Sequence, residues 1–401
     1  VARQPIFDRR QRVFGYELLF RSGRENAYQA ADGEMATGRV ITDSLLNFGP
    51  ESMTRGKRAF INFTRAALLE GYAELLPAHW VVVEVLESVE PDPEVVGACR
   101  ALRDKGYTLA LDDFVYHPRF DPLLELASIV KVDLLATQGE DRARQLEKIN
   151  NFGVELLAEK VESHDEYQDT REAGFSLFQG YFFSKPVILA GRDVPVFKLA
   201  YLRLLQEINR PDLDLAGMEK VIKGDISLSY KLLRYINSAY FSLREPVNNL
   251  QQAMSLMGEE NVRKWASLVA LAQLGQDKPD ELIVSSLVRA KFLEDLAARA
   301  GLKGRENEVF LMGLFSLLEP LVGRPLAEVM DDIPIAQEIK AALHGQPGRM
   351  HSLLALALAY ERGDWDSSAR LSEALGLEEG TVPGQYLSAL RWSQLLMEGA
   401  A

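Results

Sequence analysis

Residues 80–112 read WVVVEVLESVEPDPEVVGACRALRDKGYTLALD. The runs 80–86 and 107–112 are short and apolar on both faces, and 93–105 between them is amphipathic at helical spacing. A strand buried on both faces, then a helix, then another such strand is the parallel βα unit. The alternation continues outward in both directions. Strand-like runs fall at 13–20, 59–63, 129–135, 154–161 and 175–183, and amphipathic stretches at 36–47, 65–75, 138–151 and 163–172. Seven such units without a glycine-rich phosphate loop predict a modified, TIM-like βα barrel over residues 1–190, rather than a doubly wound sheet.

From about residue 196 strand-like runs stop and apolar residues recur at three and four, as in Leu228, Leu232, Leu233 and Ile236, then Ile283, Leu287, Ala290 and Leu293. Breaks at Pro211, Gly224, Pro246, Gly258, Pro279 and Gly301 leave helices of ordinary length. The expectation is α/β plus all-α: the barrel, a boundary within 186–197, and a helical bundle over 196–401. Amphipathic helices at 367–380 and 386–398 extend the bundle.

The chain has 401 residues, with 58 acidic against 45 basic side chains and a formal charge of −13. That length suits two or three domains. The acidic balance argues against a nonspecific grip on nucleic acid. A single cysteine, Cys99, excludes a disulfide framework and a thiolate metal cluster. No apolar run approaches the roughly 18 residues of a membrane span. Arg3, Asp8, Arg9 and Arg10 stand where a secretory leader would be apolar. A cytoplasmic protein is expected.

In a βα barrel the reactive face is built from the C-terminal strand ends. The polar residues ending the runs are Glu17, Asn62, Glu84, Asp112 with Asp113, Lys131 with Asp133, Glu159 with Glu162, and Gln179. From Asn62 onward they recur about one βα unit apart, so the side chains should converge on one rim. Carboxylates and an amide so gathered repel one another unless cations neutralise them, and all-oxygen ligands suit Mg²⁺ or Mn²⁺. The Asp112–Asp113 pair could serve two ions, a common device for phosphodiester cleavage. Lys131 could hold the attacking water or balance phosphate charge.

These residues resemble a known family. The run from Gln4 to Arg21 (QPIFDRRQRVFGYELLFR) resembles the opening of EAL-domain cyclic di-GMP phosphodiesterases, with Glu17-Leu18-Leu19 in place of Glu-Ala-Leu. The likeness continues through Asn62 in INFT, Glu84 and Glu87 in VEVLE, Asp112-Asp113-Phe114, Lys131-Val132-Asp133, AEKVE with Glu159 and Glu162, and Gln179-Gly180. The resemblance implies that Glu17, Asn62, Glu84 and Asp112 bind a first metal and Asp113 a second. It implies Lys131 near the attacking water, Glu159 close to the catalytic centre, and Gln4, Arg21 and Gln179 on the substrate side. Glu87 resembles the glutamate that anchors the loop after the Asp pair; Asp133 and Glu162 are taken as supporting that region. Two departures stand out. Val115-Tyr116-His117-Pro118-Arg119 replaces the family's Gly-x-Gly loop, and Lys160 stands where glycine is common. Relatives often pair through that loop, so a homodimer is among the expected partners and the changed loop weakens this route.

Other residues read more plainly. His164-Asp165 looks like a solvated helix start and Cys99 like a buried, idle thiol; His117 is the histidine within the altered loop, close after Asp113. Residues 224–241 and 247–265 resemble the HDOD domain, a helical relative of HD phosphohydrolases. Gly313-Leu314-Phe315-Ser316-Leu317 stands where a working enzyme needs His-Asp, so this half is expected not to be catalytic. Asn237 and Ser238 are read as helix-ending residues, with a binding role, shared with Tyr240, as the competing reading. Together these features predict a bacterial-type signalling protein. Its EAL barrel binds cyclic di-GMP and opens it to the linear dinucleotide by a two-metal mechanism. Its HDOD half regulates through an unidentified protein partner, and neither membrane nor nucleic acid is a partner. The alternative is a catalytically silent cyclic di-GMP receptor or scaffold.

Overall fold

Eight strands close into one barrel in the order β1 to β8: Ala2–Asp8, Val13–Leu19, Arg58–Phe63, Val81–Val85, Thr108–Leu111, Ile129–Asp133, Glu155–Glu159 and Leu177–Gln179. This computed structural model describes residues 1–20, 53–137, 139–185, 196–237, 246–378 and 380–400. The expected helix at 36–47 and most of the expected boundary at 186–197 lie outside them. The chain divides into two compact units, Val1–Lys185 with Tyr360–Asp366, and Pro186–Ala359 with Ser367–Ala401.

The sequence predicts seven strands, and the structure adds an eighth, β1. It runs antiparallel to both β2 and β8, while the other neighbouring strands are parallel. Arg3, Gln4 and Pro5 interrupt the apolar pattern there, so the segment lacks the signature of a strand buried on both faces. The last strand is shorter than the expected run 175–183. At Gly180 the backbone turns to φ 146, and a Cβ would lie 2.2 Å from the Val161 carbonyl oxygen; only glycine fits.

Between the strands the helices follow the expected stretches. Pro93–Asp104 starts at Asp92, whose side chain accepts from the amides of Glu94 and Val95. His164–Glu172 starts with a reciprocal capping box between Ser163 and Glu166. His164-Asp165 is therefore the first turn of a helix, and its ring sits edge-on to Phe182.

Ile6, Phe60, Val82, Ala110, Ile129, Leu157 and Leu177 form one buried cluster inside the barrel. Side chains alternate along a strand, so residues two apart share a face. Two positions onward from those on the parallel strands stand Asn62, Glu84, Asp112, Lys131, Glu159 and Gln179. β1 runs the other way, and two positions before Ile6 stands Gln4, paired in register with Glu17. The apolar plug and the polar rim are thus successive layers of one inward face.

The second unit is helical among its described residues, from Val196–Ile208 to Thr381–Ala400. Asp280–Ala297 and Glu306–Phe315 approach so closely that a Cβ on Gly313 would lie 2.6 Å from the Ala290 Cα. The buried Lys198 ammonium donates to the Leu321 carbonyl at 2.7 Å and pairs with Asp277 at 2.6 Å. Asn237 ends the helix Ile226–Ile236; its amide donates to the carbonyls of Leu233 and Val247, and its oxygen accepts from the Val247 amide. That is a structural role. Ser238 and Tyr240 lie outside the described residues.

Candidate active site at the barrel mouth

The Lys131 ammonium stands at the centre of the rim. It lies 2.6 Å from Asp112 Oδ1, 2.8 Å from Glu84 Oε1, 3.1 Å from Glu159 Oε1 and 3.5 Å from Glu17 Oε2. Lys131 and Glu84 are both 0% exposed. Asn62 Nδ2 donates to Glu17 Oε1 at 3.1 Å, and Gln179 Nε2 donates to Glu17 Oε2 at 2.6 Å and to Gln4 Oε1 at 3.0 Å. Gln4 in turn donates to the Arg362 carbonyl, in the segment Tyr360–Asp366 that belongs to this unit.

One ammonium faces four carboxylates, and two of them, Glu84 and Glu159, have raised pKa values, with burial the first cause. Burial drives the Glu84 carboxyl far above the usual range, and the Glu17 and Asp112 charges add to the rise against the pull of Lys131. Burial likewise raises Glu159 to about 8. Lys131 itself would lose basicity on burial, but Glu159, Glu17, Glu84 and Asp112 outweigh that and hold it well above an ordinary lysine.

The rim also leaves buried oxygens without a hydrogen-bond donor: Asn62 Oδ1, Glu84 Oε2, Glu159 Oε2 and Gln179 Oε1. Unsatisfied buried acceptors are costly, and this many in one place calls for a positive ligand. Among the described residues no three acidic, His or Cys side chains stand close enough together to hold an ion as they are; Lys131 sits between them. The donor set, all oxygen and in negative excess, nonetheless fits a hard divalent cation. Arg21 lies outside the described residues.

Asp113 takes a left-handed backbone, φ 41, and burial and then the Asp112 charge raise its carboxyl pKa. The five residues replacing the glycine loop are held by contacts of their own. Phe114 packs edge-on against Phe120 at 5.6 Å, His117 Nδ1 accepts from the Arg119 amide, and Arg119 pairs with Glu90 at 3.1 Å. His117 thus caps the turn Pro118–Phe120. Beneath the loop lies a hollow of about 380 Å³, which Glu87, Asp113 and Phe114 help to line. Glu87 is exposed. Glu162 pairs with Lys185 at 3.2 Å on the surface, while Asp133 pairs with Lys160 at 2.5 Å.

Sequence reasoning missed the use of Lys160. It reads there only as a departure from glycine, although a lysine directly after Glu159 already placed a second cation at the rim. Cys99 is fully buried, and burial pushes its thiol up to about 11, so it is idle.

A model of the EAL domain matches residues 29–186 and one of the HDOD domain matches 194–322. YuxH, an uncharacterized protein of Bacillus subtilis, is 36% identical over 406 residues, covering 99% of this chain and 98% of that protein. CdgJ of Vibrio cholerae, a cyclic di-GMP phosphodiesterase, is 35% identical over 398 residues, covering 98% and 92%. Among solved structures, Klebsiella pneumoniae BlrP1 in complex with calcium and cyclic di-GMP is 25% identical, with a TM-score of 0.37 over 46% of this chain and 55% of that one. No helix among the described residues is long and apolar enough to cross a membrane.

Proposed function

Because the chain belongs to the family of proteins that join an EAL domain to an HDOD domain, we propose that it is a cytoplasmic cyclic di-GMP signalling protein whose barrel binds the cyclic dinucleotide across its strand ends and opens one phosphodiester to leave the linear dinucleotide. The observation that carries this reading is the uncompensated charge at the mouth, four carboxylates around the one ammonium of Lys131. Such a site recruits a hard cation and, with it, a phosphate.

Glu17, Asn62, Glu84 and Asp112 would hold Mg²⁺ or Mn²⁺. When bound, the ion supplies Lewis-acid polarisation of the phosphoryl oxygen and a lowered pKa for water. The rest is done by the chain. Lys131 keeps a fixed positive charge against the carboxylates and the incoming phosphate. Glu159, with its proton held up to about 8, sits near working pH and can take a proton from the attacking water and return it to the departing sugar oxygen. Gln179 holds Glu17 and is itself tied to Gln4, and the two amides would line the substrate side. Asp113 also lies within the electrostatic reach of a cation that the chain itself provides, Lys160.

The helical half regulates through contacts with a protein partner. Where an HD enzyme needs a His-Asp pair, Ser316 here accepts a hydrogen bond from Arg289 and donates one to the Gly313 carbonyl. One observation favours a second reading, a receptor that binds without cleaving: Asp113 takes a left-handed backbone, φ 41, just before the stretch that replaces the glycine loop. The test is chromatography of cyclic di-GMP incubated with the protein and Mn²⁺. Linear product from wild type, lost in Glu17→Ala and Asp112→Ala, is expected. Equal cleavage by the variants contradicts the proposed site, and intact ligand with retained binding assigns the receptor.

A further inference from the structure

Lys160 follows Glu159 at the end of β7 and takes φ 58, a left-handed conformation that glycine adopts freely and a lysine only under strain. Strain of this kind persists where the surroundings fix it, and such positions cluster at functional sites. The surroundings here are specific. The Lys160 ammonium lies 2.5 Å from Asp133 Oδ2, at the end of β6, in register with Glu159. The other Asp133 oxygen accepts from the Leu135 amide at 2.7 Å. Both oxygens of Asp133 are therefore engaged, one of them by a cation. The same ammonium acts electrostatically on Asp113, from the end of β5. Asp113, Asp133 and Lys160 thus come from the ends of three successive strands.

We propose that Lys160 is the second cation of this site: a half-exposed ammonium, held by Asp133 and acting on Asp113, that takes the place of a second divalent ion, so the barrel binds one metal per chain, on the side of Glu17, Asn62, Glu84 and Asp112. The inference rests on the functional reading above and revises its sequence-based expectation of two ions. A divalent ion drawn to Asp113 would meet like charge from Lys160 and could use Asp133 only by displacing that ammonium. The ammonium supplies one positive charge toward a phosphate on that side, yet it cannot acidify a water as a divalent ion does.

The experiment counts ions. Full-length wild type, Lys160→Gly, Lys160→Gln and Lys160→Arg are dialysed to equilibrium against saturating Mn²⁺ and the metal per chain is measured. One ion is expected for wild type and Lys160→Arg, and two for Lys160→Gly and Lys160→Gln. Glycine relieves the backbone, so Lys160→Gly should fold; if it does not, Lys160→Gln carries the comparison. Two ions in wild type, or one in a folded Lys160→Gln, overturns the inference while leaving the functional reading standing. No ion in wild type overturns both.

Discussion

The barrel mouth and the helical unit both bury charged and amide side chains, and they treat them in opposite ways. In the helical unit Lys198 has a carbonyl and a carboxylate to itself, and Asn237 uses both amide atoms to close the end of a helix. Only Asn209 Oδ1 is left over there among the described residues, while its Nδ2 donates to Leu205 and Ser267. At the barrel mouth one lysine serves four carboxylates, and four buried oxygens have no donor. Buried polar groups that are satisfied hold a fold together; groups left short of partners are held ready for something that arrives. The same residue types thus mark structure in one region and, on the proposed reading, a ligand site in the other.

Substitutions can break this comparison. The largest effect should fall on turnover: Glu17→Ala or Asp112→Ala is expected to cut linear dinucleotide formation roughly a thousandfold, the upper end for losing one preorganised electrostatic contact. Chromatography at fixed Mn²⁺ reads it, and Ser316→Ala in the helical unit should leave the rate unchanged. Next comes Lys131→Met, which leaves four carboxylates without their ammonium. In chelator at pH 7.5 it should cost about 3 kcal/mol by denaturant unfolding, with part of the loss recovered on adding Mn²⁺. Asn237→Ala should cost about 1–2 kcal/mol through the carbonyls and amide it leaves unpaired, with cyclic di-GMP cleavage unaltered. A rate loss in that variant would erase the distinction between the regions.

The pH dependence is smaller and its sign is definite. Glu159 holds its proton to about 8 in the folded state, against about 4.3 for an unperturbed glutamate. The folded state binds the proton more tightly, so in chelator stability should fall as pH rises from about 4.3 to about 8 and level off beyond. Glu159→Gln should make that slope shallower in thermal melts across the same range, leaving the part that Glu84 contributes.

Much of this was legible in the sequence because the barrel repeats one rule: an apolar inward residue, then two positions on a polar one at the rim. Val82 with Glu84, Ile129 with Lys131 and Leu157 with Glu159 all show in a linear reading. β1 escaped because its role depends on running backwards, which makes Gln4 a rim residue two positions before its apolar partner rather than after. The centring of Lys131 was also hidden, since a strand-end lysine says nothing about which carboxylates turn toward it. Lys160 needed the fold as well, because its partner Asp133 lies 27 residues away in the chain.

The central claim is that the charge imbalance at the mouth is the seat of a cation, and melting of wild type and Glu84→Gln with and without Mn²⁺ tests it most directly. In chelator the variant should melt no lower than wild type, since burial already favours the neutral form of Glu84 and glutamine matches that form. With Mn²⁺ at a hundredfold its Kd, wild type should gain about 2.7 kcal/mol, roughly 5–10 °C for a unit of this size, and overtake a variant that barely responds. A wild type whose melting temperature ignores Mn²⁺, or a variant that gains equally, would contradict the account.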